Sequence, residues 1–205
     1  MYIKYINKMK TFTFNSVFEF KQTINKSKFI AYGYSVSDSD EVKDKLKKLQ
    51  KQYPDATHIC HAYILGNNQE EFHYSDDGEP SKTAGFPIYQ IMKQNNLSYS
   101  LVCVIRYFGG IKLGTSNLKN AFISSVKGLI DNSQLVGIEN RILCKVELSF
   151  KDIKYFERIF DNRIVKKEFN EDKIYFYIAL LPTECELLSK YKYNVINNFY
   201  LYKML

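Results

Sequence analysis

At 205 residues, 45% hydrophobic and 25% charged, the chain can bury one large core or two small ones and is composed like a folded protein, not a disordered one. Its net charge of +7 sits mostly at the start, where residues 1–28 hold six lysines against one acid, Glu19; the basic arm 1–10 reads first as a solvated tail and second as a phosphate contact. No apolar run approaches the roughly 18 residues that cross a bilayer, and no apolar core follows the N-terminal lysines, so the expectation is a cytoplasmic protein without membrane span or secretory signal.

In chain order, Thr11–Phe20 is a weak strand candidate, and the aromatic, β-branched run Ser27–Ser37 is a better one. Ser37-Asp38-Ser39-Asp40 supplies helix-capping chemistry, and Val42, Leu46, Leu49 and Tyr53 then recur at helical spacing until Pro54. Thr57–Leu65 predicts a strand, Gly66-Asn67-Asn68 a turn, and Glu70–Tyr74 the returning strand of a hairpin. A helix is expected from about Phe86 to Asn95 and a buried strand over Ser100–Phe108. A second helix follows from about Ser116 to Asn132, with Leu118, Ala121, Phe122, Ser125, Val126 and Leu129 on its apolar face.

After Gly137 the pattern restarts. Strand Arg141–Phe150, helix Lys151–Phe160, strands Arg163–Phe169 and Lys173–Leu181 joined by Asn170-Glu171-Asp172, a helix from Pro182 to about Tyr191 and a short strand near Ile196–Tyr202 are expected. This βαββα(β) order predicts a small ferredoxin-like α+β unit. The expected domains are residues 1–137 and 138–205. The four cysteines form no CxxC pair and read as buried reduced thiols.

Three segments can carry chemistry. In Thr57-His58-Ile59-Cys60-His61, the histidines stand at odd spacing on a strand and point to opposite faces, which argues against one shared metal ion. One of the two packs or hydrogen-bonds while the other lines a groove. In the loop Ser75–Gly85, Asp76, Asp77 and Glu79 cluster with Gly78 and Pro80, and Ser81, Lys82 and Thr83 precede a helix start. Its acids either cap neighbouring N–H groups or form a binding site. In Arg106–Ser116, the break at Gly109-Gly110 between a strand and a helix suits backbone approach by phosphate, with Arg106 and Lys112 as anion contacts. Gly109 and Gly114 have P-loop spacing, but Thr115 stands where that motif requires lysine.

ATHICHAYILG at 56–66, YSDDGEPSKTAGFPI at 74–88 and VIRYFGGIKLGTSNLKNAF at 104–122, in this order, resemble the bacterial YigZ-like branch of the IMPACT family. The resemblance covers roughly residues 12–131. It implies an α+β fold whose N-terminal domain resembles the second domain of ribosomal protein S5, followed by a ferredoxin-like domain. It also implies a link to translation, because eukaryotic relatives regulate translation together with an RWD domain that this chain lacks. Two segments depart from the family pattern: Lys82 replaces a common glycine, and Ser116-Asn117 stand where two glycines are favoured, which narrows backbone approach there.

The expected function is therefore a non-enzymatic binding or regulatory protein that contacts RNA or a ribosome-associated factor and needs no cofactor. Its candidate binding residues are His61, Asp76, Asp77, Glu79, Ser81, Lys82, Thr83, Arg106, Gly109, Gly110 and Lys112. The alternative is an enzyme acting on a small phosphorylated or acidic substrate, with the loop carboxylates in acid–base or magnesium chemistry. A small anionic ligand is compatible with both.

Overall fold

A computed structural model of the protein describes residues 11–66, 68–170 and 173–204. The basic arm 1–10, Asn67 and the turn residues Glu171-Asp172 lie outside them. The described residues form two compact units, 11–138 with 203–204, and 139–202.

The first unit is built on an antiparallel sheet whose central strands are buried on both faces. Its strands are β2 (Phe18–Ile24), β3 (Ser27–Ser35), β4 (His58–Leu65), β5 (Glu71–Ser75) and β6 (Ser100–Tyr107), in the order β2-β3-β6-β4-β5. The short β1 (Phe12–Phe14) pairs instead with Leu135–Gly137. The expected strand Thr11–Phe20 is thus two strands, each with its own partner. Asn25 and Lys26 both adopt positive φ and close the β2–β3 hairpin in two residues.

Helix α1 (Ser39–Gln52) covers one face of this sheet, packing Val42 and Leu49 with Tyr32, Ile59, Leu101 and Ile105. Its start follows the sequence signal: Asp38 Oδ1 accepts from the Asp40 and Glu41 N–H groups, and Glu41 accepts from the Ser37 N–H. Helices α2 (Gly85–Gln94) and α3 (Thr115–Asp131) cover the other face. The buried residues of α3 are the six expected from periodicity, and Phe122 meets Phe29 edge-on with ring centroids 5.4 Å apart. Each such buried aromatic contributes about 1.5–3 kcal/mol of apolar transfer.

In the second unit, Ile142–Leu148 of β7 (Leu135–Leu148) pairs antiparallel with β9 (Ile174–Leu180). Strand β8 (Ile164–Phe169) lies beyond β9, and β10 (Lys192–Met204) pairs with β7. Its core joins Cys144, Val146, Ile174, Phe176 and Ile178 to Phe156 and Phe160 of α4 (Ile153–Phe160). Pro182–Leu188 is a 3-10 helix, shorter than the expected helix to Tyr191. Among the described residues no helix is long and apolar enough to cross a membrane.

All four cysteines are free; Cys60, Cys103 and Cys144 are buried and Cys185 is half-buried. Burial pushes the Cys60 and Cys103 thiols far above the ordinary value, and that of Cys144 up to about 11. A thiol reagent at pH 8 will therefore modify Cys185 first and the other three only after denaturant is added. Mass spectrometry of partially labelled protein checks this, and fast labelling of Cys60 would contradict the packing described.

Candidate functional site

The loop between β5 and α2 is held by its own carboxylates. Asp76 Oδ1 accepts from the Ala84 and Gly85 N–H groups at 3.0 and 2.8 Å, and Oδ2 accepts from the Lys82 N–H at 2.8 Å. Asp76 thus caps α2 from outside the helix, where Ala84 has no side chain able to do so. Asp77 Oδ2 accepts from the Ile59 N–H at 2.6 Å, while its carbonyl accepts from His58 Nδ1. The Thr83 hydroxyl donates to the Pro80 carbonyl. The start of α2 is consequently occupied, and the expected anion role of Ser81, Lys82 and Thr83 at that helix end finds no open N–H at Lys82, Ala84 or Gly85.

Glu79 and Arg106 form a buried ion pair between the loop and the sheet. Arg106 Nη1 donates to both Glu79 oxygens, at 2.6 and 2.8 Å, and the two side chains are 7% and 3% exposed. Arg106 belongs to β6 and lies over Phe29, so the pair fastens the loop to the centre of the sheet. Its Nη2 reaches Ser27 Oγ, which also accepts from the Gly109 N–H. Arg106 Nε is buried without a partner among the described residues, a cost of about 1–3 kcal/mol.

Beside this pair lies a cavity of about 480 Å³, lined by Thr57, His58, Glu79, Pro80, Arg106, Phe108, Lys112–Thr115 and Leu118. The loop and the 106–115 segment therefore meet on one concave surface. His61 does not join them. Cys60, Ala62 and Ile64 of β4 pack on the face of α2 and α3, whereas Ile59, Tyr63 and Leu65 pack on the face of α1. His61 shares the second face, its ring 6.1 Å from that of His73, and burial holds its imidazole below the ordinary value. His58 is the histidine of the cavity. Alternation correctly separated the two histidines, but the residues of β4 alone do not say which face is hollow.

Gly109 is also reassigned. A Cβ there would stand 2.1 Å from the Lys26 carbonyl carbon, so the space is taken by the β2–β3 turn of the same chain and not by a ligand. Gly110 and Gly114 are different: both have positive φ, and a Cβ at either would meet nothing within 4 Å. Gly114 is the N-cap of α3, supplies no capping side chain, and no acid lies in the first turn of that helix. The exposed N-terminus of α3 is therefore where positive potential is left open. Ser116 and Asn117 take their places in the exposed first turn of this helix, whereas Lys82 sits at φ 60°, where the glycine common in the family costs less.

Among the described residues, no three His, Cys, Asp or Glu side chains are grouped as metal ligands. Replacing Arg106 by Met leaves the Glu79 carboxylate buried and unpaired and should lower stability by about 3–5 kcal/mol. The double variant Arg106→Met, Glu79→Leu should recover most of that loss. Urea unfolding of the three proteins checks it, and additive losses would show that the two side chains do not act as a pair.

The Impact N-terminal domain model matches residues 25–130. The IMPACT family member YvyE of Bacillus subtilis is 34% identical over 165 residues, which span 80% of this chain and 74% of that protein. The IMPACT family member YigZ of Escherichia coli is 33% identical over 49% of this chain and 50% of its own. A crystal structure of a hypothetical protein superimposes with a TM-score of 0.63 at 22% identity, covering 92% of this chain and 98% of the other, and shows the same two-domain mixed α/β fold. From the motifs quoted above and these matches, the chain belongs to the IMPACT family.

Proposed function

We propose that the protein is a binding and regulatory component linked to translation, contacting RNA or a ribosome-associated factor with the surface around the 106–116 segment. One observation carries the choice of binding over catalysis: the three loop carboxylates are already engaged inside the protein. Asp76 holds three backbone N–H groups, Asp77 one, and Glu79 the Arg106 guanidinium. An enzyme using them for acid–base work, or for magnesium, would first have to break the bonds that shape the loop. What the surface offers outward is of another kind, namely the exposed Phe108, Ile111 and Lys112 beside the open start of α3.

The family resemblance supports the link to translation and, with it, a cytoplasmic location and no need of a cofactor. The strand order β10-β7-β9-β8, with α4 and the 182–188 helix between strands, supports reading the second unit as ferredoxin-like. The first unit is read as resembling the second domain of ribosomal protein S5, a reading supported by the family motifs.

Co-sedimentation with ribosomes and direct titration with ribosomal RNA test this reading. Association at low ionic strength should fall steeply between about 50 and 200 mM salt and be weakened by Lys112→Glu and by Phe108→Ala. RNA binding that these variants leave unchanged would remove this surface from the interaction, and no association with RNA or ribosomes would remove the function.

A further inference from the structure

We infer that Cys185 is a reversible oxidation site with Cys144 as its resolving partner: a hydroperoxide oxidises Cys185, and Cys144 then closes a disulfide with it. This goes beyond the binding reading above and does not rest on it.

The four thiols differ in what they face. In the first unit, Cys60 packs on the face of α2 and α3 and Cys103 on the face of α1, so the sheet itself separates them. Cys60 donates to the Asp76 carbonyl at 3.0 Å, and Cys103 is fully buried. In the second unit the two cysteines meet. Cys144 on β7 and Cys185 on the 182–188 helix belong to one core. The Cys144 thiol donates to the Cys185 sulfur, and the Cys185 thiol donates in turn to the Leu181 carbonyl at 3.7 Å. A disulfide needs two sulfurs side by side, and this contact supplies them. Glu184, next to Cys185, is held by Arg163 at 2.6 Å, which ties the helix to the residue before β8. Among the described residues no third His, Cys, Asp or Glu joins the pair as a metal ligand, so its chemistry is that of a dithiol.

Access sets the order of events. Cys144 is fully buried, whereas Cys185 is half-buried on a helix whose Thr183, Glu186 and Leu187 are exposed. An oxidant arriving from solvent therefore meets Cys185 first. With hydrogen peroxide, the Cys185 sulfur attacks one peroxide oxygen, the O–O bond breaks, and a sulfenic acid and one water result. The Cys144 sulfur then attacks the Cys185 sulfur, its proton goes to the departing hydroxide, and a second water leaves as the S–S bond forms. Two thiols have lost two electrons and two protons, and the peroxide has become two waters. Because Cys144 is already in contact, this second step needs no search by the chain. Thiol reductants reverse it by exchange, and in a reducing compartment the pair rests as thiols.

The test is oxidation of the full chain with hydrogen peroxide, then alkylation of the remaining thiols in denaturant and peptide mapping by mass spectrometry. Two of the four thiols should be lost, one cross-linked peptide should join Cys144 to Cys185, and dithiothreitol should restore all four. Cys144→Ala should abolish the cross-link and leave Cys185 as a sulfenic acid that dimedone traps. Cys185→Ser should leave the three remaining thiols reduced at the same dose. The proposal is overturned if Cys185 passes to the sulfinic or sulfonic acid without a cross-link, or if the folded chain forms disulfides through Cys60, Cys103 or a second chain instead. It is overturned equally if no thiol is lost. Mapping of the unaltered chain decides the matter even where Cys144→Ala, a change in the core, lowers stability.

Discussion

The ion pair between Arg106 and Glu79 is the contact on which the arrangement of the first unit's loops depends. A guanidinium at the end of a central strand would be costly to bury alone, and a carboxylate in a surface loop has no intrinsic reason to point inward. Paired, each supplies the reason for the other's position. The loop is drawn onto the sheet, and β6 gains a polar end where its apolar run stops. Arg106 also reaches Ser27, so the β2–β3 turn, the end of β6 and the 75–85 loop meet at one group. The cavity is the space left beside that junction.

This construction gives the acidic loop a different meaning from the one its composition invites. Adjacent aspartates in an exposed turn look like ligands waiting for a cation. Here they serve as acceptors for backbone N–H groups that the loop's own geometry leaves without partners, including those at the start of α2. Their oxygens are engaged in holding shape, and the wall of the cavity adds Lys112 and the uncapped start of α3.

Much of the fold was legible because it rests on short-range rules. The cap at Asp38, the buried run of β6, the apolar face of α3 and the hairpin through Glu71–Ser75 follow from local chemistry and periodicity. The missed features are those decided by distant partners. The break between β1 and β2 is set by pairing of β1 with residues 135–137, more than a hundred positions away. The placement of His58, and not His61, in the cavity depends on which face of β4 meets α2 and α3. The use of Gly109 depends on a turn at Lys26, and the roles of Asp76 and Asp77 depend on backbone groups that carry no signature in the sequence. A carboxylate that bonds to peptide groups two or three residues away, as Asp38 does, leaves a pattern of types; one that bonds to peptide groups farther along the chain does not.

The way Asp76 caps α2 has a consequence for motion. A single side chain holds both the loop and the first turn of the helix, so neither can open without releasing the other, and the two exchange their amide protons as one cooperative segment. That side of the cavity is a fixed jaw. Gly114, in the wall of the cavity, and Gly110 before it have no such tie, and a Cβ at either would meet nothing within 4 Å.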